Sequence, residues 1–110
     1  MLTIHRRGTF HAHRSSNQCV STTQEKFDYI VRLTCSTFLD DNGYLIPHEV
    51  IDDIMQTGKY GTCEQMALSS VNDLRDGLLE FEHLELKKIV VRIKAHGLNP
   101  IAFIEAEWNA

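Results

Sequence analysis

The chain has 110 residues, of which 43% are hydrophobic, 24% charged and 8% aromatic. That is one domain, residues 1–110, with enough apolar material for a core, so neither two cored units nor wholesale disorder is compatible with it. Eleven Lys and Arg against fifteen Asp and Glu give a formal charge of −4, which argues against general nucleic-acid or anionic-lipid binding and leaves room only for a local basic patch.

No apolar run approaches the roughly 20 residues of a membrane helix, and Met1 to Arg7 lacks the apolar stretch of a signal peptide, so a cytoplasmic protein is expected. Cys19, Cys35 and Cys63 are odd in number and form no Cys-x-x-Cys pair. Reduced thiols are therefore expected rather than a disulfide framework or a zinc knuckle.

From Met1 to His13 the sequence alternates loosely, and the polar run Arg14 to Thr23 reads as a loop. Phe27, Tyr29, Val31, Leu33 and Cys35 then alternate with Asp28, Ile30, Arg32, Thr34 and Ser36, the pattern of a strand with one buried face. Asp40 to Gly43 reads as a turn, and Pro47 suits the first turn of a helix running to about Gln56, with Val50, Ile51, Ile54 and Met55 as its apolar stripe. After Gly58 and Gly61, Thr62 can cap a longer helix on which Ala67, Val71, Leu74, Leu78 and Phe81 recur at spacings of four and three. Ile89, Val91 and Ile93 alternate again, Gly97 to Pro100 turns the chain, and Ile101 to Trp108 closes a hairpin. The order ββααββ predicts an α+β fold: an antiparallel sheet with both helices on one face.

This order and several motifs resemble the tunnelling fold (T-fold) of dihydroneopterin aldolase and 6-pyruvoyl-tetrahydropterin synthase. Thr62-Cys63-Glu64-Gln65-Met66-Ala67 is similar to the signature whose glutamate grips the pterin or purine ring, which falls on Glu64. Val90 to Pro100 with Ile104-Glu105-Ala106-Glu107 resembles the aldolase's penultimate strand, lysine, turn and closing strand, placing its lysine at Lys94. Leu39 to Ile46 and Phe10-His11-Ala12-His13-Arg14 resemble segments of the synthase. The synthase's zinc histidines have no match on the second strand, and its cysteine-bearing loop is absent. Tyr44 and His48 stand near the aldolase's tyrosine position.

The resemblance implies an oligomeric barrel that binds a small heterocyclic ligand, with Glu64, Cys63, Tyr44 and His48 around it. It also implies either an aldolase-type lyase in which Lys94 and Glu64 are catalytic or a reduced 6-pyruvoyl-tetrahydropterin synthase-like enzyme. The alternative is a non-catalytic binder that sequesters a nucleotide or blocks a partner protein. One ionised glutamate can accept two parallel N–H bonds from an aminopyrimidine edge, although a first-turn acid also complements the helix dipole. Lys94 ends an apolar strand, where partial burial would suit proton transfer, and stands equally as a solvated strand-end lysine. No cofactor is expected; His11 and His13, two apart on one strand face, are the candidates should zinc bind.

Overall fold

A computed structural model describes residues 2–15, 20–36, 48–79, 81, 85–97 and 103–110. The alternation of Phe27 to Cys35 lies at the centre of its sheet: Phe27, Tyr29, Val31, Leu33 and Cys35 are all buried. They belong to β2 (Val20–Cys35), which pairs antiparallel with β1 (Leu2–Ser15) on one side and β4 (Leu86–Ala95) on the other; β5 (Ile104–Asn109) pairs antiparallel with β4. Ile89, Val91 and Ile93 of β4 face the same side as the β2 core row, and Phe10 and Ala12 of β1 join them. A two-residue strand, β3 (Tyr60–Gly61), runs parallel to β1 at His13 and Arg14, giving the order β3-β1-β2-β4-β5.

The expected loop from Arg14 to Thr23 is mostly strand. β1 continues to Ser15 and β2 starts at Val20, with Ser15 paired to Val20 across the hairpin. Ladder hydrogen bonds form wherever two backbones run side by side, whatever the side-chain pattern, so a polar sequence does not exclude them. The expected turn at Asp40 to Gly43 lies outside the described residues.

Both helices cover the face that carries the core. In α1 (His48–Gln56), Ile51 and Met55 are buried one turn apart, and in α2 (Cys63–Leu78) Met66, Ala67, Ser70, Val71, Leu74 and Leu78 form the buried stripe. The start of α2 is fixed by a capping box: Gln65 N–H donates to Thr62 Oγ1 at 3.2 Å, and Thr62 N–H donates to Gln65 Oε1 at 2.9 Å. Each bond satisfies a backbone donor that the helix itself cannot.

Polar contacts fix α1 against β1. Arg6 grips Asp52 in a fork, Nε to Oδ1 at 2.8 Å and Nη2 to Oδ2 at 2.5 Å, and Gln56 Nε2 donates to the Thr9 carbonyl at 2.7 Å. Tyr29 Oη donates to the same carboxylate at 3.4 Å. Burial, reinforced by the Asp52 charge, pushes the Tyr29 phenol above its ordinary range.

Tyr29 reaches Asp52 by crossing Gly8, its partner in the β1–β2 ladder. A Cβ at position 8 would lie 2.4 Å from Tyr29 Oη and 2.5 Å from Cζ. Gly8→Ala should therefore displace the ring, break its bond to Asp52 and cost about 1–2 kcal/mol by overpacking. Urea denaturation checks this, and an unchanged midpoint would remove the steric argument.

Lys59 is only 6% exposed. Its Nζ donates to the carbonyls of Met55 at 3.0 Å, Thr57 at 3.1 Å and Ile54 at 3.4 Å, closing the C-terminal end of α1. The ammonium also stands 5.4 Å from the centre of the Phe10 ring. Cations at helix C-termini are favoured by the exposed carbonyl dipoles.

Candidate functional site

Glu64 stands in the first turn of α2, exposed, one residue after Cys63 and inside the Thr62–Gln65 box. Because Thr62 and Gln65 make the capping bonds, the Glu64 carboxylate is not used for them. Among the described residues it has no hydrogen bond or ion pair. A helix N-terminus with an uncommitted carboxylate offers an N–H-binding acceptor beside backbone donors. Cys63 is half-buried at the first helical position and is not disulfide-bonded. His48 opens α1 by its backbone; its side chain and the whole of Tyr44 lie outside the described residues.

Lys94 occupies the opposite face of the sheet. It alternates with buried Ile93, so its side chain points away from the helices. There its ammonium lies 3.7 Å from Asp28 Oδ2 and 5.3 Å from the centre of the Phe103 ring. The other oxygen of Asp28 contacts His96 Nδ1 at 2.7 Å, and the His96 backbone N–H donates to the Lys26 carbonyl at 2.9 Å. Asp28 thus holds two bases at once, a role that became visible only through register: it pairs with Lys94 across the β2–β4 ladder.

Within one chain, Glu64 and Lys94 do not share a site. Glu64 follows the edge strand β3, three ladder spacings from β4, or roughly 14 Å at ~4.8 Å each, and it sits on the helix that covers the face opposite Lys94. Only a neighbouring subunit could bring a Lys94 to a Glu64.

His11 and His13 do share the open face of β1, as their spacing required. Among the described residues no three His, Cys, Asp or Glu side chains gather as a metal centre would require.

The open face gathers charged side chains from several strands. A groove of 660 Å³ crosses it, lined by Arg7, Thr9, Asp28, Ile30, Arg92, Lys94 and Phe103 together with the backbone of Gly8 and Tyr29. Arg92 Nε meets Glu105 Oε1 at 3.3 Å and Lys88 meets Glu107 at 3.5 Å. The sequence alone marks Lys87, Lys88, Arg92 and Lys94 as a basic run able to meet phosphate and split over two faces by alternation, but it does not join Arg92 to Asp28 and Arg7, which lie on three strands far apart in the chain. The usable signal was the polar phase of each alternation, which marks the face but not the neighbours.

No family model matches the chain, and no curated protein matches it in sequence. Solved structures do match over its full length. The chain is similar to a Plasmodium vivax 6-pyruvoyltetrahydropterin synthase, with a TM-score of 0.68 and 9% identity over 99% of this chain and 98% of that one. It is similar to a Vibrio cholerae protein described as a candidate dihydroneopterin aldolase, with a TM-score of 0.70 and 12% identity over 100% and 98%. It is also similar to an archaeosine synthase of the QueF-like type, with a TM-score of 0.59 and 9% identity over 98% and 92%. All three have the tunnelling fold, and so does this chain. The four long antiparallel strands with two helices on one face are that architecture, with β3 as a short addition at the edge.

Proposed function

We propose that this tunnelling-fold chain binds a pterin- or purine-like ring at the boundary between subunits of a ring-shaped homo-oligomer in the cytoplasm, with Glu64 as the anchor. The observation that carries this reading is the uncommitted Glu64 carboxylate beside an already satisfied helix cap. It is supported by the fold shared with a pterin synthase and a candidate pterin aldolase. Assembly is supported by the sheet's edges: β1 pairs with β3 only at His13 and Arg14, and among the described residues β5 has no outer neighbour. Open edges of this kind are protected when copies join edge to edge.

The preferred reaction is an aldolase-type lyase step in which dihydroneopterin loses glycolaldehyde. Glu64 of one subunit would hold the ring, while Lys94 of the next, with a water, would move the proton. The separation of these two residues within one chain favours a second reading, a binder without turnover that retains a nucleotide or occludes a partner protein.

Native mass spectrometry of the purified protein tests the assembly and the ligand together. A multimer carrying a pterin or purine mass is expected, and a bare monomer would sink the boundary site. Glu64→Ala should weaken ring binding by about tenfold or more, the worth of a lost charge-assisted pair. Turnover of dihydroneopterin that falls in Lys94→Ala would select the lyase; ring binding with no turnover in the parent protein would select the binder.

A further inference from the structure

The face of the sheet opposite the helices opposes the charge of the whole molecule. By strand phase it carries Arg7, Lys26, Arg32, Lys88, Arg92 and Lys94 against Asp28, Glu105 and Glu107: six cations, three anions, net +3 on a chain of −4. We propose that the groove on this face is a binding site for the phosphate group of a small phosphate ester of mononucleotide size. This site goes beyond the ring site at Glu64: it shares Lys94 with the lyase reading above but needs neither Glu64 nor a bound ring.

The ladder sets the geometry. Arg7 pairs with Ile30 and Ile30 with Arg92, so two guanidinium side chains flank one apolar residue on a single row. Their backbones are two strand spacings apart, about 10 Å, a gap that two long side chains can close on a tetrahedral oxyanion lying over Ile30. Thr9 stands beside Arg7 and Lys94 beside Arg92, both lining the groove. These supply a hydroxyl and an ammonium at the next row.

The cations differ in commitment. Arg7 is exposed and has no hydrogen bond or ion pair among the described residues. Arg92 contacts Glu105 through Nε alone, at 3.3 Å and with both side chains well exposed, leaving its terminal N–H groups for a second acceptor. Asp28 also lines the groove, but its two oxygens are taken by His96 and Lys94. It therefore opposes an incoming anion less than a bare carboxylate would.

Beyond the residues that line the groove, the same face holds one more guanidinium group. Arg32, next after Ile30 on this face, has its Nε buried with no hydrogen-bond partner among the described residues. Buried donors of this kind are normally satisfied. Planar guanidinium groups match phosphate oxygens two at a time, which favours phosphate over a simple halide. The volume of 660 Å³ suits a small organic ligand rather than a free ion. Phe103 also lines the groove, with an aromatic surface for the organic part.

Isothermal titration of the full chain with inorganic phosphate, guanosine 5′-monophosphate and guanosine tests this. Phosphate and the monophosphate should bind, with affinity falling as salt rises, and Arg7→Ala should weaken both by about tenfold or more. Ile30→Glu, which places a carboxylate in the floor, should abolish phosphate binding. Circular dichroism and the unfolding midpoint of Arg7→Ala should match the parent, since Arg7 is exposed and has no hydrogen bond or ion pair to lose among the described residues. Failure of phosphate to bind the parent protein, or equal binding by Arg7→Ala, would overturn the assignment. The Glu64→Ala variant separates the two sites: phosphate affinity should persist there while guanosine affinity falls. Loss of guanosine binding in the parent with phosphate retained would sink the ring site and leave this one standing.

Discussion

Phe27→Ala is expected to destabilise the protein by about 3–5 kcal/mol, the cost of deleting a buried phenyl ring and leaving its space. Phe27 has no exposed surface, stacks on Phe10 at 5.5 Å between centroids, and belongs to the buried cluster that includes residues of both helices. The stacked pair adds about 0.5–1.5 kcal/mol beyond area burial. Against a typical domain stability of about 5–15 kcal/mol, this loss removes a large share of the folded population's margin. Urea denaturation should show a lower midpoint with an unchanged slope. A midpoint close to that of the parent would mean that Phe27 is not the packing centre.

Lys59→Met is expected to cost about 2–3 kcal/mol, because it leaves three carbonyls at the end of α1 without their charged donor and removes the cation from the Phe10 ring. The same lysine gives a pH signature. Burial, partly offset by Asp73, holds its ammonium below the ordinary lysine range. Well below the lowered folded-state value both states hold the proton, and Lys59 adds no slope. Between that value and the unfolded-state value near 10.5 the unfolded chain binds more protons, so stability from this group rises with pH. The parent should therefore gain on Lys59→Met as pH climbs through that window and level off above it. A difference that is flat or falls with pH would mean that the ammonium is solvated rather than buried.

Much of the architecture was legible because a buried face leaves a period in the sequence. The Phe27–Cys35 strand, the α2 stripe from Ala67 to Leu78 with Thr62 as its cap, and the closing hairpin all follow from that. Where the period is missing, legibility ends. Among the described residues the buried row on β1 stops at Ala12 and that on β2 begins at Phe27. The strand beyond them is held by backbone pairing and carries no alternation to read. β3 is two residues long and could leave no period at all; its only local sign is Gly61, whose φ of +112° is open to glycine and strained for other residues.

The candidate site divides in the same way. Glu64 was found because a motif and a helix start coincide in the six residues from Thr62 to Ala67. Asp28 looked like any polar residue on a strand's outer phase, and only the ladder that sets it against Lys94, 66 positions away, gives it a function. Arg6 and Asp52 are likewise joined by tertiary structure alone, as is Lys59 to the carbonyls it serves. Pattern identifies which face a residue occupies; register decides whom it meets.

The charge reversal across the sheet makes the molecule an electric dipole, with its negative end on the helix side. An isoelectric point near 5.8 describes only the sum and hides this separation. Approaching a negatively charged surface at neutral pH, the protein would turn its strands toward it and keep its helices in solution, even though its net charge is repelled. When copies are arranged around a common axis with strands inward, the fields of their cationic faces add within the channel while the exterior stays acidic. Small anions would then be concentrated along the axis, and molecules of either sign would meet opposite barriers at the rim and at the wall.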